Sequence, residues 1–104
     1  MAASVVDASA LGAVAFGEPD AEPVAEQLAG EELFAPSLVA YELASVARKK
    51  VLARPEQREA IAWALEQELT LDVQRIDVDQ PAVLELALEA EITTYDASYL
   101  WLAR

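Results

Sequence analysis

The chain has 104 residues, of which 55% are apolar, and this length suits one domain with its own core rather than two. Nineteen acidic residues against seven basic ones give a formal net charge of −12, which argues against a nucleic acid or an anionic membrane as a partner of the whole surface. The sequence contains no cysteine and no histidine, which excludes disulfides, thiolate chemistry, the usual zinc ligand sets and any triad that uses imidazole.

The N-terminus and the hydropathy pattern predict where the protein works. No apolar run approaches the roughly 18 residues that a membrane-spanning helix needs. The first residues lack the basic segment of a secretory signal, and Asp7 would interrupt its apolar region. We therefore expect a soluble cytoplasmic protein in which residues 1–104 form a single domain.

Short apolar runs alternate with helical segments in the first half of the chain. A Ser37 N-cap and a Gly30 C-cap are the clearest helix boundaries there, and Pro55 marks a stop. The predicted elements are a strand at residues 5–6, helices over 8–16 and 21–30, a strand over 32–36 and a helix over 37–53.

The second half continues the same alternation. Proline opens the first helix, and Thr93 with Asp96 forms a Thr-x-x-Asp capping-box pattern before the last one. The predicted elements are a helix over 55–69, a strand over 71–78 and helices over 81–91 and 94–104. Strands that alternate with helices predict an α/β fold with a parallel sheet.

Two aspartates occupy unusual positions in this pattern. Asp7 stands where the first strand ends, and ligands of parallel α/β sheets gather at the carboxyl ends of the strands. Asp96 lies in the first turn of the last helix. Each has an alternative explanation as a capping residue, because the free N–H groups and the dipole of a helix start both favour an acid.

Glu42 is the third unusual acid. Its helical neighbours Leu38, Val39, Ser45 and Val46 place it inside an apolar stripe. A buried carboxylate needs a partner, which can be a cation, or the residue lies at the edge of the stripe and pairs with a lysine or arginine. A strand-end acid, a mid-helix acid and a helix-start acid could converge at one edge of the sheet and hold a divalent ion, for which oxygen ligands are suitable.

The basic residues are concentrated in one short stretch. Residues 48–58 carry five of the seven cations and a single acid, Glu56. This patch could bind a phosphate chain if a metal neutralises the nearby carboxylates, or it could only complement the C-terminal dipole of a helix. We interpret the aromatic residues of the helices as core or interface rather than as platforms for base stacking; they are Tyr41, Trp63, Tyr95, Tyr99 and Trp101.

Three segments together resemble a known family. "VVDASAL" at the N-terminus, "LVAYELASVARKK" in the first half and "TTYDASYLWLA" near the end are similar to the successive motifs of PIN-domain ribonucleases, especially VapC-type toxins of bacterial toxin-antitoxin pairs. The resemblance covers essentially the whole chain in order. It implies a three-layer α/β/α fold with a short parallel sheet.

The resemblance also implies a site and its chemistry. Asp7, Glu42 and Asp96 match the family's first three acids, which bind Mg²⁺ or Mn²⁺ and hydrolyse RNA phosphodiesters, and Ser9 matches a small polar position beside the first. The cations that would lie near the RNA are Arg48, Lys49 and Lys50. The implied partners are RNA and a VapB-like antitoxin. The apolar aromatic helices favour, as a separate hypothesis, a homodimer, and the hydropathy pattern predicts no membrane partner.

Family members typically continue after the last helix seen here. They have a further strand that ends in a fourth acid and then one more helix, and we expect both elements to be missing after Arg104. Asp77 and Asp79 follow a different strand and do not match that fourth motif. The first hypothesis is therefore a metal-dependent ribonuclease. The alternatives are a catalytically incomplete PIN-like module that acts through a dimer or antitoxin interface, and an unrelated acidic interaction domain.

Overall fold

Three short strands and six α-helices alternate in the computed structural model, which describes residues 3–70 and 73–104. A single turn of 3₁₀-helix at Pro55–Gln57 precedes the fourth helix. The strands are β1 (Ala3–Val5), β2 (Glu32–Pro36) and β3 (Val73–Ile76). The helices are α1 (Ala8–Ala15), α2 (Ala21–Leu28), α3 (Val39–Ala53), α4 (Arg58–Thr70), α5 (Gln80–Ala90) and α6 (Thr94–Ala103).

The strands form one parallel sheet in the order β1-β2-β3. Val5 pairs with Phe34 across the first ladder, and Pro36 pairs with Ile76 across the second. Parallel neighbours need a crossover connection, and here each crossover contains two α-helices. All three strands consequently end at the same edge of the sheet. β1 leads there through Val6 into Asp7, and β2 leads into α3.

Two apolar clusters hold these elements together. In the larger cluster, α1 and α3 pack on the sheet; its buried members are Val6, Ala8, Leu11, Ala35, Val39 and Leu43. The smaller cluster joins α5 to α6, with Trp101 against it; its buried members are Val83, Leu86, Ala87 and Ala97. The second cluster fixes α6 against α5, and contacts with β1 and β2 hold α6 beside the sheet.

The predicted α/β fold with a short parallel sheet is confirmed. β2 has the predicted bounds, and Gly30, with φ of 79°, follows the end of α2, where the left-handed region favours glycine. The third strand is shorter than predicted, and residues 71–72 of that prediction lie outside the described residues.

The predicted N-cap of α3 is wrong. Helix α3 begins at Val39, and Leu38, not Ser37, is its N-cap residue. The Ser37 hydroxyl instead donates to Asp77 Oδ1 at 2.5 Å, and the Ser37 N–H donates to the carbonyl of Ile76 at 2.9 Å. Ser37 therefore ties the end of β2 to the end of β3.

Three of the aromatic residues are not part of the core. Tyr41 is 77% exposed, and Tyr95 and Trp63 are each 65% exposed. The sequence pattern favours core or interface for these residues, and a position in the core is wrong for all three. Trp101 packs on the smaller cluster as predicted. Within the described residues, no helix is long and apolar enough to span a membrane.

Candidate functional site

A cleft of about 590 Å³ opens at the carboxyl end of β1. We name it the acidic cleft because Asp7, Glu42 and Asp96 all lie on its lining. Each acid comes from a different part of the chain and belongs to the start of a different helix: α1, α3 and α6. The three carboxylates that the sequence analysis singled out thus line one cleft. Each of them is the N-cap residue of its helix or lies in the first turn of that helix.

Asp7 is the N-cap of α1. Its Oδ1 accepts a hydrogen bond of 2.8 Å from the Ala10 N–H, so the capping role considered for Asp7 is confirmed. The cap uses one carboxylate oxygen, and the side chain remains exposed at the cleft. Capping and ligand binding are therefore compatible here, since Oδ2 can take another partner.

Glu42 lies half-buried in the first turn of α3 and has a partner that the sequence did not predict. The Tyr99 hydroxyl donates a hydrogen bond to Glu42 Oε1 across 57 residues of sequence. The partner is thus a neutral phenol on α6 rather than a lysine or arginine. The sequence offered only a partial signal: Asp96 and Tyr99 are three residues apart, so they share a face of α6.

The environment of Tyr99 keeps its phenol protonated. Burial is the largest cause that raises the pKa of Tyr99 far above its ordinary value of 10. The hydrogen bond to Glu42 and the negative charges of Glu42 and Asp7 raise it further, while the Ala8 N–H acts in the opposite direction. Tyr99 therefore remains a hydrogen-bond donor to Glu42 at every physiological pH.

Asp96 is exposed on the first turn of α6. Thr93 caps this helix, and its Oγ1 accepts from the Asp96 N–H at 3.0 Å, which is one half of the predicted capping box. The helix dipole stabilises a carboxylate in this turn. Ser9, in the first turn of α1, lies exposed on the same cleft, whereas Ser98 is buried and donates to the Thr94 carbonyl at 2.8 Å.

The three cations proposed for RNA contact have different environments. Lys50 forms an ion pair of 2.5 Å with Glu18 and lies 5.8 Å from the centre of the Phe16 ring. Lys49 lines a second cleft that adjoins the acidic one, and Arg48 is exposed but lines neither. Of the three, only Lys49 lines a cleft that also contains one of the acids, Glu42.

The carboxylates of the acidic cleft suit a hard divalent cation that is bound by only one or two protein ligands. Among the described residues, no three acids lie close enough to form a metal-binding group, so the cleft is not a closed protein cage. Magnesium is usually bound by one or two carboxylates and completes its shell with waters and substrate phosphates. Carboxylates on an open cleft fit that mode of binding.

The sequence model of the PIN domain matches residues 4–104. The chain belongs to the PIN-domain family. PIN domains are generally nucleases that depend on divalent metal ions. No curated protein sequence matches the chain. The acidic cleft is therefore the natural candidate for the active site of this PIN domain, and the roles of its residues are argued below.

Proposed function

We propose that this PIN domain is a metal-dependent endoribonuclease of the VapC toxin type, with Asp7, Glu42 and Asp96 as its metal-binding and catalytic carboxylates. One observation carries the proposal: three acids that are far apart in sequence lie on one cleft at the strand ends of a PIN domain. Ser9 supports them as a small polar neighbour on the same lining.

The residues of the cleft have distinct tasks in this proposal. The carboxylates would hold Mg²⁺ or Mn²⁺, which would orient the phosphodiester, lower the pKa of an attacking water and offset developing negative charge. Tyr99 holds Glu42 in place through its hydroxyl. The start of α1, whose residues Asp7 to Ala10 lie on the lining, would offer its positive dipole end to an RNA phosphate.

The decisive experiment compares Asp7→Asn with Asp79→Asn. Asp79 caps α5 through Oδ1 and the Ala82 N–H at 3.2 Å, so it has the same helix role as Asp7 but does not line the acidic cleft. Asparagine caps a helix about as well as aspartate, and both variants should keep the fold. We expect Mn²⁺ binding by calorimetry and metal-dependent RNA cleavage to disappear in Asp7→Asn and to persist in Asp79→Asn.

A catalytically incomplete binding module is the second candidate function. The observation in its favour is that the described residues contain no three-acid group close enough to hold a metal. A folded wild-type chain that neither binds Mn²⁺ nor cleaves RNA would refute the nuclease and support this module. Binding that is equal in wild type and Asp7→Asn would place the metal elsewhere.

A VapB-like antitoxin and a second copy of the chain belong to the proposal as partners. The support is an apolar face of α5, where Leu84 and Leu88 are exposed one helical turn apart. We expect Leu88→Glu to weaken self-association, measured by sedimentation, without unfolding the chain. An unchanged sedimentation profile would exclude this face from the dimer.

A further inference from the structure

A second cleft, of about 570 Å³, adjoins the acidic cleft and shares Ala8, Ser9 and Glu42 with it. We name it the tyrosine cleft because Tyr41 of α3 and Tyr95 of α6 line it. The two clefts form one continuous surface on either side of Glu42. A ligand that reaches the carboxylates can therefore extend into the tyrosine cleft.

The two tyrosines are exposed to an extent that core packing does not explain. Tyr41 is 77% exposed and Tyr95 is 65% exposed, although both lie on helices whose buried faces contribute to the apolar clusters. Each side chain offers an aromatic face for stacking and a hydroxyl at its tip. They belong to different helices, α3 and α6, and both line the same cleft.

A cation completes this lining. Tyr41, Ser45 and Lys49 follow one another at intervals of four residues, so they form one row along α3 about 12 Å long. Lys49 is exposed, and no carboxylate lies within ion-pair distance of it in the described part of the chain. The next residue, Lys50, is instead paired with Glu18. The row therefore presents an aromatic ring, a hydroxyl and an unpaired charge.

These groups match the chemistry of single-stranded RNA. Proteins bind single strands with aromatic side chains that stack on bases and with basic groups that follow the phosphates. A duplex keeps its bases stacked on each other, so exposed tyrosines offer it nothing. In a chain of net charge −12, an unpaired lysine on the cleft that adjoins the acidic cleft is a local exception that favours a phosphate.

We propose that the tyrosine cleft is a subsite for single-stranded RNA, in which bases stack on Tyr41 and Tyr95 and a phosphate is bound by Lys49. This inference rests on the proposed function, since it describes how the substrate of the acidic cleft is held. The RNA strand runs from the tyrosine cleft past Glu42 to the carboxylates. It offers an alternative to our interpretation of these exposed tyrosines as interface residues.

The test measures binding of a fluorescent single-stranded oligoribonucleotide by anisotropy. Asp7→Asn serves as the parent chain, because it should not cleave the probe. Tyr41→Ala and Tyr95→Ala should each weaken binding about tenfold, whereas the corresponding Phe variants keep the ring and should bind within about twofold of the parent. Lys49→Ala should lower the slope of log K against log salt by about one.

The matched control is Trp63→Ala. Trp63 is as exposed as Tyr95 and lines a groove that shares no residue with either cleft. Its removal should leave the dissociation constant unchanged. A probe with an abasic nucleotide at the stacked position lacks the base that a tyrosine would contact. The parent and the variant of that tyrosine, Tyr41→Ala or Tyr95→Ala, should therefore bind this probe with equal affinity. If the tyrosines had only a structural role, the variant would still bind the abasic probe more weakly than the parent.

The outcomes separate this inference from the proposed function. The subsite is refuted if the double variant Tyr41→Ala/Tyr95→Ala binds RNA as tightly as the parent, or if the parent binds no RNA. In either case, cleavage of RNA by the wild-type chain still tests the proposed nuclease function. If wild type cleaves nothing but binding depends on both tyrosines, the subsite stands and the nuclease fails. If the tyrosine cleft contacts a protein partner instead, RNA affinity will be the same in all variants.

Discussion

Tyr99→Phe removes one hydroxyl from the acidic cleft and nothing else. The phenol donates to Glu42 Oε1 and is half-buried, so the change breaks a hydrogen bond to a carboxylate without creating a cavity. Bonds to charged groups contribute about 1.5–3 kcal/mol, and because Glu42 is itself only half-buried, water can replace part of this. We therefore expect the free energy of unfolding to fall by about 1 kcal/mol.

The effect on catalysis should be larger than the effect on stability. Without the Tyr99 hydroxyl, Glu42 is free to change its rotamer, and misplacement of a catalytic group by about 1 Å can cost about a hundredfold in rate. RNA cleavage and Mn²⁺ affinity should both fall in Tyr99→Phe. The size of this loss tests whether Tyr99 acts through Glu42.

A double-mutant cycle with Glu42→Gln isolates the contact. Denaturant unfolding of wild type, both single variants and the double variant should give a coupling energy of about 1 kcal/mol between the two residues. Cleavage should be no lower in the double variant than in Glu42→Gln alone, because Tyr99 has nothing left to position. Additive effects of the two changes on both stability and rate would refute the reasoning.

The remaining predictions concern the core and the pH dependence. Leu43 is 1% exposed, and Leu43→Ala should lower the free energy of unfolding in urea by about 2–5 kcal/mol. Burial raises the pKa of Glu68 above its ordinary 4.5. The free energy of unfolding of wild type should therefore fall relative to that of Glu68→Gln as the pH rises from about 4.5 towards neutrality. If the two free energies of unfolding change with pH in parallel, the prediction is refuted. The raised pKa of Tyr99 predicts that wild type loses stability relative to Tyr99→Phe above about pH 10, measured by alkaline thermal denaturation.

The fold could be predicted from the sequence wherever local signals agree. The segment 32–36 is β-strand with the predicted bounds, because its apolar residues follow a glycine turn and precede a strong helix. Thr93 caps α6 as its sequence pattern predicts. In these cases the residues that decide the structure are neighbours in the chain, so the pattern contains the necessary information.

Long-range partners explain what the sequence did not predict. Ser37 has the composition of an N-cap, but its hydroxyl bonds to Asp77, 40 residues away, and α3 begins later. The partner of Glu42 is 57 residues away. A local pattern predicted that Glu42 needs a partner, because burial of a lone carboxylate is costly, but only the packing of α6 against the sheet could identify Tyr99.

The two "Asp-Ala-Ser" segments show why three identical residues can have different roles. Asp7 is the N-cap of its helix and bonds the Ala10 N–H through its side chain, which places Ser9 in the first turn, exposed on the cleft. In the second segment Thr93 is the cap, so Asp96 already lies within the first turn and Ser98 lies beyond it, buried against its own helix. The segments are offset by three helical positions.

That offset determines which groups can face a substrate. Asp7 is a strand-end acid whose cap fixes one of its oxygens, whereas Asp96 takes its stabilisation from the helix dipole and needs no side-chain bond for it. Both acids are therefore stable as charged groups at helix starts, where an isolated acid in the core would not be. An acid at a helix start uses the same positive dipole end that would attract a phosphate, so the RNA that we propose these acids cleave would need the bound cation to offset their charge.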